Sequence, residues 1–365
     1  MNKRSVYFIL FLILLSIYGF TACSHRDLQP QNAFETKVIE TPETQPFVPE
    51  SLSLEYSVIS IPLADEISSP RLEFSGLAWY QGNLVLLPQC PNGILGKEEG
   101  MIYAIPADVI SRIIVEPNTD AEFYEIKFDD GGLRSSLNGF EGYESIEFIG
   151  NSVYLTIETH GGKPMKSFLV KGKLEVKDQR IESISLLADK IVELKPQNSN
   201  KNASYEALTT NGEYLYALFE QYGYEQNLNP YVIKLDQDLN IISELPIDPV
   251  NYRLTDATAI DEDGHFWMIN YFYPGDEHLK VSSDPISMNY SLPESHQKAK
   301  IVERLLKFQV RDDQIFLMDE PPVYMRLLES KEARNWEGIA AIPGIGFFVI
   351  TDSFPDSILG IIKIQ

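Results

Sequence analysis

The chain has 365 residues, 44% of them hydrophobic, and a formal net charge of −23. That apolar content supplies one large core, while the charge speaks against nucleic acid and anionic lipid faces as partners. With only two cysteines, stability has to come from packing rather than from a disulfide framework.

Lys3 and Arg4 precede an apolar run from Val6 to Phe20, which ends in Thr21-Ala22-Cys23. A charged start, a short apolar core and small residues describe a secretory signal. The run falls short of the roughly 20 residues that a membrane span prefers. Phe20-Thr21-Ala22-Cys23 resembles a bacterial lipobox, so residues 1–22 are expected to be removed and Cys23 to be lipidated. The protein would then be held at a membrane of the bacterial cell envelope, facing the periplasm or the surface. Residues 1–22 carry two basic and no acidic residues, so their loss takes the charge to −25. Residues 23–52, with four prolines and little periodic apolar content, read as a tether. Lipidation of Cys23 leaves Cys90 alone, read as a plain buried thiol.

From residue 53 onward the chain repeats itself. Ser75-Gly76-Leu77 is followed by Gln89, Glu144-Ser145-Ile146 by Glu158, and Glu206-Ala207-Leu208 by Glu220. Asp256-Ala257-Thr258 is followed by Asn270, and Glu337-Gly338-Ile339 by Asp352. The spacing is 14 residues in the first four pairs and 15 in the last. Turn residues stand at each midpoint: Gln81-Gly82-Asn83, Gly150-Asn151, Asn211-Gly212, Asp263-Gly264 and Pro343-Gly344. Turn chemistry between apolar runs marks β-hairpins. A hairpin folded at its midpoint returns both ends to one edge, so all five pairs are expected on one face.

Further strand-like runs extend the repeats, at 167–170 and 183–187, 231–235 and 241–245, and 305–308 and 314–317. Four strands per unit is the content of a propeller blade. The last repeat ends after a third strand at 358–362, and the run 54–61 offers the missing fourth. The expected fold is therefore an all-β propeller over 53–365, its ring closed by the N- and C-terminal strands. Five blades are read directly; a sixth requires a degenerate blade in 107–135 or 271–300. The latter stretch, rich in Ser, Pro, Asn and charge, reads as a loop, either a lid over the motif face or a plain surface insertion.

The repeated positions hold carboxylates. If the first strand of each hairpin is innermost, Glu144, Glu206, Asp256 and Glu337 converge on the ring axis, with Glu73 nearby. Acids at such range repel. Ca²⁺, which accepts about six to eight oxygens, is the expected offset and the expected cofactor. Arg71, Arg253 and Arg334 stand just before their motifs and either pair with these acids or bind a substrate anion together with Asp352. The architectural alternative is a carboxylate that accepts backbone N–H groups of the neighbouring blade. Among five histidines, His160 alone lies just past a motif residue, Glu158, which makes these two the candidates for activating water. No Gly-x-Ser-x-Gly elbow is present.

Asn335-Trp336-Glu337-Gly338-Ile339-Ala340, with Gly346 through Pro355, resembles the closing motif of the phytase-like, esterase-like propellers. The related SdiA-regulated propeller proteins look similar. Glu73-Phe74-Ser75-Gly76-Leu77-Ala78 is similar to the opening motif of the same group. The resemblance implies an exported propeller with an axial acidic cluster assumed to hold Ca²⁺. The chain departs from that pattern at Asp256-Ala257-Thr258, where Glu-Gly-aliphatic is expected, and at Ser145, which takes a glycine position.

Two functions of different class follow. One is a metal-dependent hydrolase of small-molecule ester or phosphoester bonds. The other is a non-catalytic envelope lipoprotein that binds a ligand or protein partner on the motif face. The chain is expected to be a monomer.

Overall fold

The computed structural model describes residues 54–92, 100–160, 165–200, 202–223, 225–330, 332–354 and 356–364. The expected leader 1–22, the expected tether 23–52 and the expected lipidation site Cys23 lie outside the described residues.

The chain enters through β1 (Leu54–Tyr56) and β2 (Ile59–Ile61). Blade I is β3 (Phe74–Tyr80), β4 (Asn83–Pro88), β5 (Gly100–Ile105) and β6 (Tyr124–Asp129). Blade II is β7 (Phe140–Ile149), β8 (Ser152–Thr159), β9 (Lys166–Lys177) and β10 (Arg180–Leu194). Blade III is β11 (Ala207–Thr210), β12 (Leu215–Leu218), β13 (Tyr231–Leu235) and β14 (Ile241–Pro246). Blade IV is β15 (Arg253–Ala257), β16 (His265–Phe272), β17 (Val302–Arg311), β18 (Gln314–Leu317) and β19 (Val323–Met325). Blade V is β20 (Trp336–Ile342), β21 (Gly346–Thr351) and β22 (Leu359–Lys363). The five hairpin strands β3, β7, β11, β15 and β20 pack one against the next and close a ring. The described residues thus form a five-bladed propeller. Residues 107–135 hold a helix, β6 and a short helical turn, and 271–300 hold the end of β16 and helical turns, so neither hides a sixth blade.

Each hairpin turn forms for a local reason. Gln81 and Gly82 both have positive φ, and Gly150, Gly212, Gly264 and Gly344 adopt the same left-handed region at their turns. Such turns match the twist of the flanking strands. The blades are cemented by apolar clusters at their interfaces. Leu77 and Leu86 of blade I meet Phe348 and Ile350 of blade V, and Ile269 and Leu305 of blade IV meet Ile339 and Val349.

Ring closure differs in one detail from the single strand expected over 54–61. β2 pairs antiparallel with β22 and completes blade V. β1 pairs parallel with β19 of blade IV instead. The entering segment therefore spans two blades. A second irregularity joins blades I and II, whose outer strands β6 and β10 pair in parallel and merge the two sheets at the rim.

Candidate active site

The motif residues share one cause for their direction. The pairing slips by one residue at Ser75, at Glu144, at Thr255-Asp256 and at Glu337. A bulge re-aims the extra side chain out of the sheet pattern. Glycine next to the acid has its own reason. A Cβ on Gly338 would lie 2.9 Å from Leu77 and 3.1 Å from the Gly76 carbonyl carbon, so the inner strands of blades V and I meet there only without a side chain.

Four of the five sequence-expected axial acids line one cavity of about 470 Å³: Glu73, Glu144, Glu206 and Glu337. Glu158, Asp352 and Arg253 line it too. Asp256 does not. Its carboxylate lies inside the ring wall, 2% exposed, and accepts from Ile339 N at 2.8 Å, Leu77 N at 3.4 Å and Ser145 Oγ at 3.4 Å. Ser145 Oγ in turn accepts from Leu208 N at 3.1 Å. One carboxylate and one hydroxyl thereby tie β20, β3, β7, β11 and β15 together. The two positions where the sequence departs from the phytase-like pattern are the two that build this knot. Burial pushes Asp256 up, and its ring of donors pulls it back.

Arg253 is the lining cation, and it is already engaged. It forms a very short contact with Glu220 Oε2 and a two-pronged one with Asp276, at 2.8 and 3.2 Å, and lies 3.8 Å from Glu206. Asp276 belongs to the insertion after β16. That segment is not featureless, since it contains turns of helix at Glu277–Leu279 and Pro285–Asn289 and buries Asp276, Asp284 and His296. Tyr273 of the same segment reaches the cavity.

Other expected site residues stand elsewhere. His160 is 48% exposed, lies 3.8 Å from Glu141 and does not line the cavity. Arg71 is exposed in the turn Pro70–Leu72. Arg334 is buried against Glu303, with contacts of 2.7 and 2.9 Å, and stacks on Trp336. Cys90 is half-buried, and burial raises its thiol.

Electrostatics centre on two carboxyl groups. Glu144 and Glu158 are 8% and 7% exposed, and their carboxyls are within hydrogen-bonding reach of each other. Gln89 Nε2 donates to Glu144 at 3.0 Å, and Ser204 Oγ donates to Glu158 at 3.3 Å. Burial raises both, Glu144 well above the usual carboxylate range. Repulsion adds to burial in both cases, from Glu158 on Glu144 and from Glu141 on Glu158. Glu220 is pushed up to about 7 by burial against the pull of Arg253. Burial also raises Glu206, with repulsion from Glu220 and Glu337 adding to it.

The lining oxygens are of the hard type calcium takes. Their arrangement does not match a metal cage: among the described residues no group of three or more His, Cys, Asp or Glu is placed to hold an ion. Arg253 offsets part of the charge through Glu220 and Glu206.

Sequence reasoning missed the lining residues Asn202, Tyr271, Tyr273, Asn335 and Phe354. Tyr271 directly follows the motif residue Asn270, which is the signal that could have found it.

No family model and no curated protein matches the chain. Among solved structures, a glucose dehydrogenase aligns at 12% identity and a TM-score of 0.44, over 85% of this chain and 99% of that one. The soluble aldose sugar dehydrogenase of Escherichia coli aligns at 10% identity and 0.42, over 85% and 99%. An exo-1,5-α-L-arabinanase from a bovine ruminal metagenomic library aligns at 10% and 0.42, over 86% and 95%. Likeness at this level carries no argument about activity; the propeller stands on its strand pairing.

Proposed function

We propose that the axial cavity hydrolyses a small-molecule ester, with Glu158 as general base and Glu144 as general acid. The observation that carries this reading is the contact of these two nearly buried carboxyls at the cavity wall. Like charges so close do not both ionise, so the pair offers one acid and one base at neutral pH. Glycosidase pairs stand apart by about 5 Å or more, so a contacting pair favours acyl chemistry.

Water attacks the acyl carbon as the Glu158 carboxylate takes its proton. Glu144 gives its proton to the carbonyl oxygen. The tetrahedral intermediate then expels the alcohol, which leaves with the proton held by Glu158, and the hydroxyl proton returns to Glu144. One ester and one water become one acid and one alcohol, and the pair is restored. Gln89 and Ser204 hold the two carboxyls in register.

A phosphoester fits this cavity less well. Its charge would face a lining of seven carboxylates, and the lining arginine is already held by Glu220 and Asp276. The closing motif supports placing the chain beside the phytase-like propellers, and the Cys23 motif supports a lipid anchor in the cell envelope.

The test is hydrolysis of p-nitrophenyl butyrate by the detergent-extracted protein. Glu158→Gln and Glu144→Gln are each expected to lower kcat by about 10²–10⁴-fold, with His160→Ala unchanged. Turnover equal to wild type in both glutamine variants would sink the assignment. No turnover of any ester would leave the non-catalytic binding protein as the better reading.

A further inference from the structure

The acid pair is only part of the cavity lining. Tyr271 is 2% exposed, yet it lines the cavity, and its hydroxyl has no hydrogen-bond partner among the described residues. Glu337 beside it likewise carries no hydrogen bond or ion pair there, although it too lines the cavity. Glu206 has only Arg253, at 3.8 Å. At the mouth stand two aromatic rings, Tyr273 at 42% and Phe354 at 57% exposure. Tyr271 and Tyr273 stack, with centroids 6.2 Å apart and planes 19° apart. These are acceptors and π-faces with nothing yet to accept from.

We infer that Glu337, Glu206 and Tyr271 in this lining recognise a small organic cation with a primary ammonium group. Its N–H groups donate to the carboxylates of Glu337 and Glu206 and to the Tyr271 hydroxyl oxygen, and its hydrocarbon part lies against Tyr273 and Phe354. An ammonium suits the site on three counts. It has three donors and no acceptor. It answers the carboxylate excess. It gains further from aromatic faces. Anions gain on none of them, and neutral alcohols lose the charge. The inference rests on the cavity being the functional site and narrows the proposed ester to one that carries an ammonium group.

The test uses benzylamine hydrochloride at pH 7 on the full detergent-solubilised chain, read by titration calorimetry. Benzyl alcohol, sodium benzoate and calcium chloride are the comparison arms. Benzylammonium is expected to bind at least about tenfold more tightly than benzyl alcohol, the scale of a charge-assisted hydrogen bond. Benzoate is expected not to bind. Glu337→Gln should weaken the amine by about tenfold, and Tyr271→Phe, which keeps the ring, should weaken it by less. Glu182→Gln, an exposed acid on β10, should change nothing.

Absence of amine binding to folded wild type would overturn the inference. So would equal binding of the alcohol, equal binding by Glu337→Gln, or calcium binding in place of the amine. Calorimetry reads binding without turnover. Amine binding with no ester cleavage therefore refutes the hydrolase reading alone, and cleavage without amine binding refutes this inference alone.

Discussion

Replacing Asp256 by Ala should be the most damaging single change in the ring. The substitution leaves Ile339 N–H, bonded at 2.8 Å, and Leu77 N–H, at 3.4 Å, without their acceptor inside the wall. It also frees the Ser145 hydroxyl. A buried donor left unpaired costs ~1–3 kcal/mol. With the short bond near the top of that range and the long ones near the bottom, the loss comes to ~3–5 kcal/mol. Against a typical total of ~5–15 kcal/mol, that is a large share. Asp256→Asn keeps the volume and one acceptor but turns an NH₂ toward backbone donors, so it should lose about 2 kcal/mol. The assay is urea unfolding followed by tryptophan fluorescence, with the m-value checked for constancy. Ser145→Ala belongs in the same series, and the double variant should lose less than the sum because the two side chains share one network. A loss below about 1 kcal/mol for Asp256→Ala at unchanged m would refute the knot.

Stability should fall as pH rises through neutrality. Glu144, Glu158, Glu206, Glu220 and Glu337 all have folded-state affinities for protons above the usual carboxylate value. The native chain therefore binds more protons than the unfolded one, and stability is fully present only below the ordinary carboxylate pKa. Glu220, pushed up to about 7, accounts for about 3 kcal/mol at the usual conversion per pH unit. Tm should be higher at pH 5 than at pH 8, and Glu220→Gln should flatten the slope; an optimum at pH 8 contradicts it. For the anchor, intact mass of the membrane-extracted protein should begin at Cys23 with acyl chains attached. Retention of residues 1–22 would refute it.

The hairpins were legible because each carries its own turn chemistry, and apolar runs gave the outer strands of blade III and β18 nearly to their ends, but only the middle of the longer β9, β10 and β17 and none of β19. The face on which the motifs gather followed from the 14- or 15-residue spacing with a turn at each midpoint. What stayed hidden depends on long-range partners. Nothing around Arg334 announces Glu303, 31 residues earlier, as the group that holds it. Asp276 sits in a segment of loop-like composition, and its value lies in meeting Arg253, which belongs to another strand. Asp256 looked like its fellow acids in sequence. Only the inner strands crossing around it make it a wall residue while Glu206 and Glu337 face open space. The break between β1 and β2 was illegible for a similar reason, since residues 54–61 read as one strand until two different partners divide them.

The ring is sewn unevenly. Main-chain pairing or bonding joins blades I and II through β6 and β10, III and IV through Leu254 N to Glu220 O, and V and I through Ala121 N to Pro62 O. Blades IV and V share the entering segment. Between blades II and III, among the described residues, the polar ties all run through side chains, such as Ser145 to Leu208, Tyr154 to Gln237 and Ser204 to Glu158. A hoop with one unstitched joint flexes at that joint first. Amides flanking it, on β7 and β11, should exchange with solvent sooner than those at the other four. Because Glu158 and Ser204 face each other across the same joint, each opening would also part the proposed base from the hydroxyl that steadies it, making this carboxyl pair the gauge of the whole ring's tension.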